Sequence, residues 1–210
     1  MYTFKLKHSW LLIIIAFLHI NPAFSSPDDG RKKPATKWVV QKTSTLRIAG
    51  SSNVNTFGCD ITGYYKPDTI ICFDENAGNK SVALKGSLEI DVLKFDCHNR
   101  MLTSDLRKTL KADEYPTLVI RFLSLERLPA IKNEKDFLKG SVEILLGGSC
   151  RRFDISYTFE KSGSSLVLLN GNRSFSFSDF NLKPPRKLAG LVKVKDLFNV
   201  DFNLILDPVN

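Results

Sequence analysis

The residues with the clearest chemical potential are Cys97 and His98, which stand side by side in the sequence. A thiol next to an imidazole could form a nucleophile and its base, or two ligands of a zinc ion. Neighbours on an extended chain point to opposite sides, however, so these two side chains cannot easily act on one substrate. A zinc site also needs three or four ligands, and the chain has no C-x-x-C spacing. We therefore predict no catalytic residue and no metal site here.

Other catalytic signatures are missing from the sequence. It has no G-x-S-x-G nucleophile elbow, no H-E-x-x-H and no P-loop. The formal net charge of +8 is spread along the chain rather than clustered, which disfavours nucleic-acid binding. We expect that the protein is not an enzyme, uses no cofactor and binds no nucleic acid.

The first residues have the composition of a secretory signal peptide. Two lysines precede an apolar run from Trp10 to Ile20, and small residues precede a plausible cleavage site after Ser25, which assigns residues 1–25 to the leader. The run is shorter than the roughly 20 residues needed to cross a bilayer, so we expect no stable membrane insertion after cleavage. Residues 26–36 predict a flexible basic tail, and residues 37–210 predict one domain. The mature protein is expected to be exported, either periplasmic or secreted.

Four cysteines in an exported chain indicate two disulfides: Cys59, Cys72, Cys97 and Cys150. In a hairpin, the residue numbers of any two facing residues add to the same total. A turn centred on Gly78 therefore places Cys59 opposite Cys97. Cys72–Cys150 then follows by elimination. The other two connectivities stay open, because sequence alone does not separate the three.

Alternation of apolar and polar residues dominates the remaining chain. In "FNVDFNLILD" the apolar positions from Phe198 to Leu206 alternate with polar ones, as in a strand with one buried face. The same period occurs in "SLEIDV", "SVEILL", "RFDISYTF" and "SFSFS", and residues 38–48, 54–65 and 117–127 bring the total to about eight strands. Such one-sided alternation favours an antiparallel sheet.

One segment near residues 99–112 has a different period. Its apolar residues between Met101 and Leu110 recur at three- and four-residue spacing, which predicts a short helix. Thr103 or Ser104 is the expected N-cap, and Pro116 stops the helix before the next strand.

A sandwich and a closed barrel both satisfy the strand pattern. Phenylalanines collect on the presumed inner face, which favours a barrel whose interior is either filled or holds one small ligand. A sandwich core packed with phenylalanine would give the same composition, so this alternative stays open.

The order of these segments resembles the YceI-like family. The resemblance is carried by "GSSNVNTFGCDITGYY", "FDCHNRMLTSDLRKTLKADEYPTLVIRF", "GSVEILLGGSCRRFDISYTF" and "FSFSDFNLKPP" followed by "FNVDFNLIL", and it spans roughly Trp38 to Leu206. It implies an all-β, eight-stranded, lipocalin-like antiparallel barrel with one short helix, in a family where some members enclose a polyisoprenoid or isoprenoid quinone. The sequence departs from the family pattern at His98 and Asn99, where "HN" replaces the usual "RD".

The resemblance implies an exported, non-catalytic binding protein that holds an isoprenoid-type lipid or quinone in the barrel. Such a chain offers few hydrogen bonds, so its affinity must come from apolar area removed from water, ~25 cal/mol per Å². The candidate lining residues are Phe57, Ile90, Val92, Ile120, Phe122, Ile155, Tyr157, Phe175, Phe177 and Phe202. The alternative is an interaction module with a filled barrel that binds a protein or envelope partner through its surface, using the basic loop Lys183–Lys187 with Arg151 and Arg152.

Overall fold

The computed structural model describes residues 34–62, 64, 66–73, 81–132, 134–187 and 191–209. The strands formed by these residues are β1 (Pro34–Val40), β2 (Thr45–Ser52), β3 (Thr56–Thr62), β4 (Thr69–Phe73), β5 (Val82–Lys85), β6 (Ser87–Asp91), β7 (Thr117–Leu125), β8 (Asp136–Leu146), β9 (Ser149–Ser162), β10 (Leu166–Ser176), β11 (Arg186–Lys187) and β12 (Val192–Val209). Helix α1 spans Arg100–Thr109, and two 3-10 helices span Val92–Lys94 and Phe177–Phe180.

The predicted leader, residues 1–25, lies outside the described residues, as do residues 26–33 of the predicted tail. Strand β1 begins at Pro34 and therefore includes the last three residues assigned to that tail. Among the described residues, no helix combines the length and the apolar character needed to cross a membrane.

The strands form an antiparallel sheet that closes on itself. The hydrogen-bonded order is β1, β4, β5, β7, β8, β9, β10 and β12, and β12 pairs back with β1. Strand β2 follows β1 along the same edge of β12, β3 pairs with β2, and β6 pairs with β7 next to β5. Eight strand positions therefore surround the core, which confirms the predicted lipocalin-like barrel and excludes the sandwich.

The two ends of the barrel are built from different elements. At one end, which we call the helix end, the β8–β9 turn at Gly147 and Gly148 lies against Leu182, Tyr115 and the carbonyl oxygen of Leu110. Helix α1 and the 3-10 helix Phe177–Phe180 belong to this end. The opposite end, which we call the loop end, carries the β7–β8 connection and the β9–β10 turn at Gly163.

Helix α1 starts one residue after Asn99, which caps it. The Asn99 side chain accepts hydrogen bonds from the backbone N–H groups of Met101 and Leu102 at 3.0 and 3.1 Å. The helix itself is confirmed, but the predicted cap at Thr103 or Ser104 is wrong. The Thr103 hydroxyl is buried and instead accepts the backbone N–H of Cys97 at 3.0 Å. The asparagine of the "HN" departure is therefore the cap itself, since Asn is among the favoured N-cap residues.

The Cys59–Cys97 disulfide is confirmed, with its S–S bond formed across 38 residues of sequence. The predicted register is also present. The two residue numbers of each β4–β5 pair, Ile71↔Lys85 and Cys72↔Leu84, add to the same total as those of the isolated bridge Asp60↔Asp96. Asp60 and Asp96 exchange two backbone hydrogen bonds of 2.8 and 3.1 Å. The cysteines form the next pair along, where antiparallel strands come closest.

The predicted Cys72–Cys150 disulfide is wrong. Cys72 lies buried on β4, whereas Cys150 is exposed at the start of β9, and neither forms a disulfide. Strands β5, β7 and β8 separate β4 from β9 around the barrel, so the two sulfur atoms cannot meet. Elimination failed because it assumed that every cysteine must be oxidised.

Candidate functional site

The barrel encloses an apolar cavity of about 80 Å³. Most of its wall is Leu, Ile, Val and Phe from the inner faces of the strands. Strand β12 alone contributes four successive inward residues, Phe198, Val200, Phe202 and Leu204. Six residue steps at ~3.3 Å per residue correspond to about 20 Å of strand, so the cavity is long and narrow. That shape suits a linear apolar chain better than a compact ligand.

Seven of the ten predicted lining residues lie on the wall of this cavity: Ile90, Ile120, Phe122, Ile155, Tyr157, Phe175 and Phe202. The structure places the other three elsewhere. Phe57 and Phe177 line a separate cavity of about 20 Å³ beside the Cys59–Cys97 disulfide. Val92 is completely buried in the 3-10 helix that follows β6, because the strand ends one residue before it. Likewise β10 ends at Ser176, so Phe177 begins a 3-10 helix rather than continuing the strand.

Sequence reasoning missed one charged residue on the cavity wall, Arg173. The signal for it was available, because Val167, Leu169, Gly171, Arg173 and Phe175 alternate along β10 and all occupy inward positions. Gly171 has no room for a Cβ atom, since the ring of Phe202 from β12 covers it. The inner face of β10 therefore changes from apolar residues to a cation and then to an aromatic ring.

Arg173 stands where the barrel wall loses its backbone pairing. The β9–β10 ladder ends at Asn172↔Ser156, while β9 continues alone along β8 to Ser149 and β10 continues along β12 to Ser176. We call this unpaired stretch, residues 149–155 facing residues 173–176, the β9–β10 seam. Side chains rather than backbone hydrogen bonds close the wall there.

Aromatic rings and arginines fill the β9–β10 seam. The rings of Phe153 and Phe175 meet edge to face with centroids 4.9 Å apart, and Phe180 lies 5.6 Å from Phe153. The Arg173 guanidinium carbon lies 5.1 Å from the Phe153 centroid and 5.6 Å from that of Phe175, within cation–π range. At the rim, Arg151 donates from Nε to the backbone oxygen of Asp179 at 2.9 Å.

Two tyrosines, Tyr64 and Tyr157, line the cavity, and their carbon atoms form that part of the wall because almost no polar surface faces it. Burial raises the pKa of Tyr157. Burial also raises the pKa of Tyr64, with a further contribution from its hydrogen bond to Asp68. The Tyr64 hydroxyl accepts the backbone N–H of Glu89 at 3.1 Å. Both phenols therefore stay neutral in the folded protein at ordinary pH, and the cavity gains no negative charge from them.

His98 lies on the surface, away from the cavity. Its side chain is 67% exposed, and Nε2 is 2.9 Å from a carboxylate oxygen of Asp60, which also lies 3.6 Å from Arg47. Cys97 is buried and bonded to Cys59, so the neighbouring thiol and imidazole do not form a joint site. Within the described part of the chain, no group of three or more His, Cys, Asp or Glu residues is placed to hold a metal ion.

Fold and site together define a closed lipocalin-like barrel with an enclosed, elongated apolar cavity. The sequence matches no protein-family description, and it has no significant match among curated proteins. Solved structures do match.

A polyisoprenoid-binding domain from Saccharophagus degradans, implicated in plant cell wall breakdown, matches with a TM-score of 0.61 at 13% identity, covering 81% of this chain and 97% of that one. BcnA of Burkholderia cenocepacia matches with a TM-score of 0.56 at 17% identity, covering 77% of this chain and 95% of that one. The YCEI protein of Campylobacter jejuni matches with a TM-score of 0.47 at 16% identity, covering 71% of this chain and 86% of that one. At these identities the first two likenesses show the fold.

Proposed function

We propose that this protein is an exported, non-catalytic carrier that binds an isoprenoid-type lipid or quinone inside the barrel. The observation that carries the proposal is the long apolar cavity, whose wall follows four inward residues of β12. Affinity for a polyprenyl chain would come from apolar area removed from water, at ~25 cal/mol per Å². The similarity in fold to a polyisoprenoid-binding domain supports the same class of ligand.

The size of the cavity determines how such a ligand would bind. At about 80 Å³ the enclosed space is smaller than the ~300–1,000 Å³ of most small-molecule sites. A polyprenyl chain must therefore displace wall side chains as it enters. Ile120, Val200 and Phe202 are the natural candidates, because they line the cavity yet are only partly buried. Binding should widen the barrel interior rather than fill a preformed tunnel.

Two observations support export. The first is the leader predicted for residues 1–25, and the second is the Cys59–Cys97 disulfide. Structural disulfides persist in oxidising compartments such as the periplasm or the extracellular space. We infer one of these two locations.

The small cavity also favours a second candidate, a filled barrel that binds a protein or envelope partner through its surface. Basic side chains around the helix end would contribute, namely Arg151 and Arg152 on β9 and the loop Lys183–Lys187. The two candidates differ in whether lipid enters the interior.

The experiment is to express the full chain in an exporting host, purify it, extract it with organic solvent and identify the extract by mass spectrometry. In parallel, the lipid-free protein is titrated with geranylgeraniol and with decylubiquinone. Stoichiometric isoprenoid in the extract, or saturable binding of either probe, supports the carrier. An empty protein that binds neither probe contradicts it and favours the surface-binding alternative.

A matched pair of variants separates the cavity from the surface. Val200→Phe places a ring in the cavity, and Val119→Phe adds the same volume on β7 at a position that alternates with the cavity residues Leu118 and Ile120. We expect V200F to weaken probe binding by about tenfold or more, because the added ring occupies space that the probe needs in a narrow cavity. Equal binding by both variants would place the probe outside the cavity.

A further inference from the structure

We propose that Arg173 binds the headgroup of the lipid and that this headgroup is anionic, a phosphate or a carboxylate. The inference rests on the proposed function, since it assigns the polar end of a ligand whose apolar chain lies in the barrel. In this arrangement the chain follows β12 and the headgroup lies in the β9–β10 seam. This arrangement has three requirements. The Arg173 side chain must reach both the cavity and the surface, it must have unused hydrogen-bond donors, and no carboxylate may neutralise its charge.

Arg173 reaches both places. Its aliphatic carbons line the cavity together with Ile155, Phe175 and Phe180, and the residue is only partly buried, so the side chain extends from the interior towards solvent. The backbone pairing between β9 and β10 ends one residue before it. A headgroup could therefore occupy the wall at this point without breaking any strand pairing, which is true of no fully paired stretch of the barrel.

Arg173 also has unused donor capacity. A guanidinium carries five N–H donors. Nη1 donates to the backbone oxygen of Asp154, but the buried Nε has no hydrogen-bond partner. A buried donor without a partner costs free energy, and an oxygen of a bound ligand would remove that cost. Phosphate and carboxylate groups match the planar fork of a guanidinium, which binds them through two parallel hydrogen bonds.

No side chain neutralises Arg173 within the described residues, where it forms no ion pair with a carboxylate. Two acidic residues, Asp154 and Asp179, lie nearby. Asp154 offers its backbone oxygen, and Asp179 accepts the backbone N–H of Ser176 at 2.8 Å. Asp179 also accepts a hydrogen bond from Arg151 through its carbonyl oxygen, which brings a second cation to the rim of the seam. The seam therefore presents two arginines on a largely aromatic surface.

The test compares ligands that differ only in their headgroup. Geranylgeranyl phosphate is titrated against geranylgeraniol, and hexadecanoic acid against hexadecanol, using the full-length exported protein. We expect each anion to bind about tenfold or more tightly than its alcohol, a preference that declines with added salt. The phosphate pair and the fatty-acid pair show which of the two anions is preferred.

The matched variants are Arg173→Gln and Arg152→Gln, which remove the same charge from neighbouring strands. Arg152 falls within the residue range of the seam, but it alternates with the inward positions of β9, is exposed and donates to the Ser141 hydroxyl at 3.1 Å. Its side chain does not line the cavity, so R152Q removes a charge from the outer face only. We expect R173Q to abolish the preference for the anion while the alcohol binds within twofold of wild type, and R152Q to keep the preference. Arg173→Lys, which retains the charge without the planar fork, should restore part of it and guards against a folding defect in R173Q.

The outcomes are distinguishable. A preference that survives R173Q, or wild-type protein that binds phosphate and alcohol equally, overturns the headgroup assignment and leaves the lipid carrier intact. A protein that binds none of the four probes overturns the carrier and the headgroup assignment together.

Discussion

The helix end and the loop end of the barrel are closed by different means, although both are well packed. At the helix end, α1, a 3-10 helix and a disulfide support a cluster of aromatic rings, and the wall between β9 and β10 lacks backbone pairing. At the loop end, Trp38 packs against Phe159 with ring centroids 6.3 Å apart, and β9 and β10 stay paired to their turn. The end with more elements is therefore also the one whose barrel wall lacks backbone pairing.

The largest difference between the two ends should be in the rate of lipid dissociation. It should appear when one buried phenylalanine is truncated at each end, in Phe180→Ala and Phe159→Ala. Each ring is 2% exposed. Both variants should therefore lose about 3–5 kcal/mol in the free energy of unfolding, measured by urea denaturation. Of the two rings, only Phe180 lines the barrel cavity, so only F180A should speed the dissociation of a bound lipid in a stopped-flow exchange experiment. Equal acceleration by F159A would mean that the ligand leaves through the loop end.

Removing the disulfide should have the next largest effect. Cys59→Ala with Cys97→Ala opens a link across 38 residues and should cost about 2–4 kcal/mol. Hydrogen exchange should rise in α1 and the 3-10 helix Phe177–Phe180 before it rises at the β9–β10 turn. The control is Cys150→Ser at the same end, where the thiol is exposed and not oxidised, and a surface change should stay within about 0.5 kcal/mol. A uniform rise in exchange over both ends would show that the bond stabilises the whole barrel.

The smallest effect should be a loss of stability that occurs only at acidic pH. It should come from the β7–β8 connection at the loop end. The Arg127 guanidinium lowers the pKa of Asp136 to about 2, with help from the backbone N–H of Ala130. Because the folded pKa is lower than the ordinary value near 4, this carboxylate stabilises the fold above about pH 4. That contribution is lost as the pH falls through 2.

The measurement is the urea midpoint of wild type and Asp136→Asn at pH 7 and at pH 2. The two proteins should differ most at pH 7 and much less at pH 2, and Arg127→Gln should show the same reduced dependence on pH as D136N. A difference that is unchanged at pH 2 would mean that the side-chain charge of Asp136 does not contribute.

The antiparallel sheet could be predicted from the sequence because its signal, period-two alternation, is local and repeated. Alternation left a sandwich open, and the lipocalin-like barrel followed from the resemblance to the YceI-like family. The register around Gly78 favoured the Cys59–Cys97 pair, which the structure confirms. Seven cavity residues followed from the same alternation. The partial failure on the other three has one cause, since Val92 and Phe177 lie in 3-10 helices just beyond strand ends and Phe57 lies at the helix end, where inward residues meet α1 rather than the cavity.

Arg173 was not predicted as a cavity residue, for a different reason. Alternation places it inward, but an isolated cation on an apolar face contradicts the hydrophobic pattern used to find strands, so it counted against the pattern instead of marking a site. The β9–β10 seam has no signal in the sequence, because both strands continue through it and only their pairing with each other ends. The Cys72–Cys150 error came from counting cysteines instead of locating their strands.

The barrel can close only after strand β12 has paired with its neighbours. Strand β12 pairs with β10 on one edge and with both β2 and β1 on the other, and the pair Lys37↔Val209 joins positions from opposite parts of the chain. Until β12 is in place, three strands present unpaired edges, which are the surfaces through which sheets aggregate. Long-range pairing of this kind is slow to form. Because β12 is also the last strand in the sequence, the barrel remains open, with these edges exposed, until the final strand arrives.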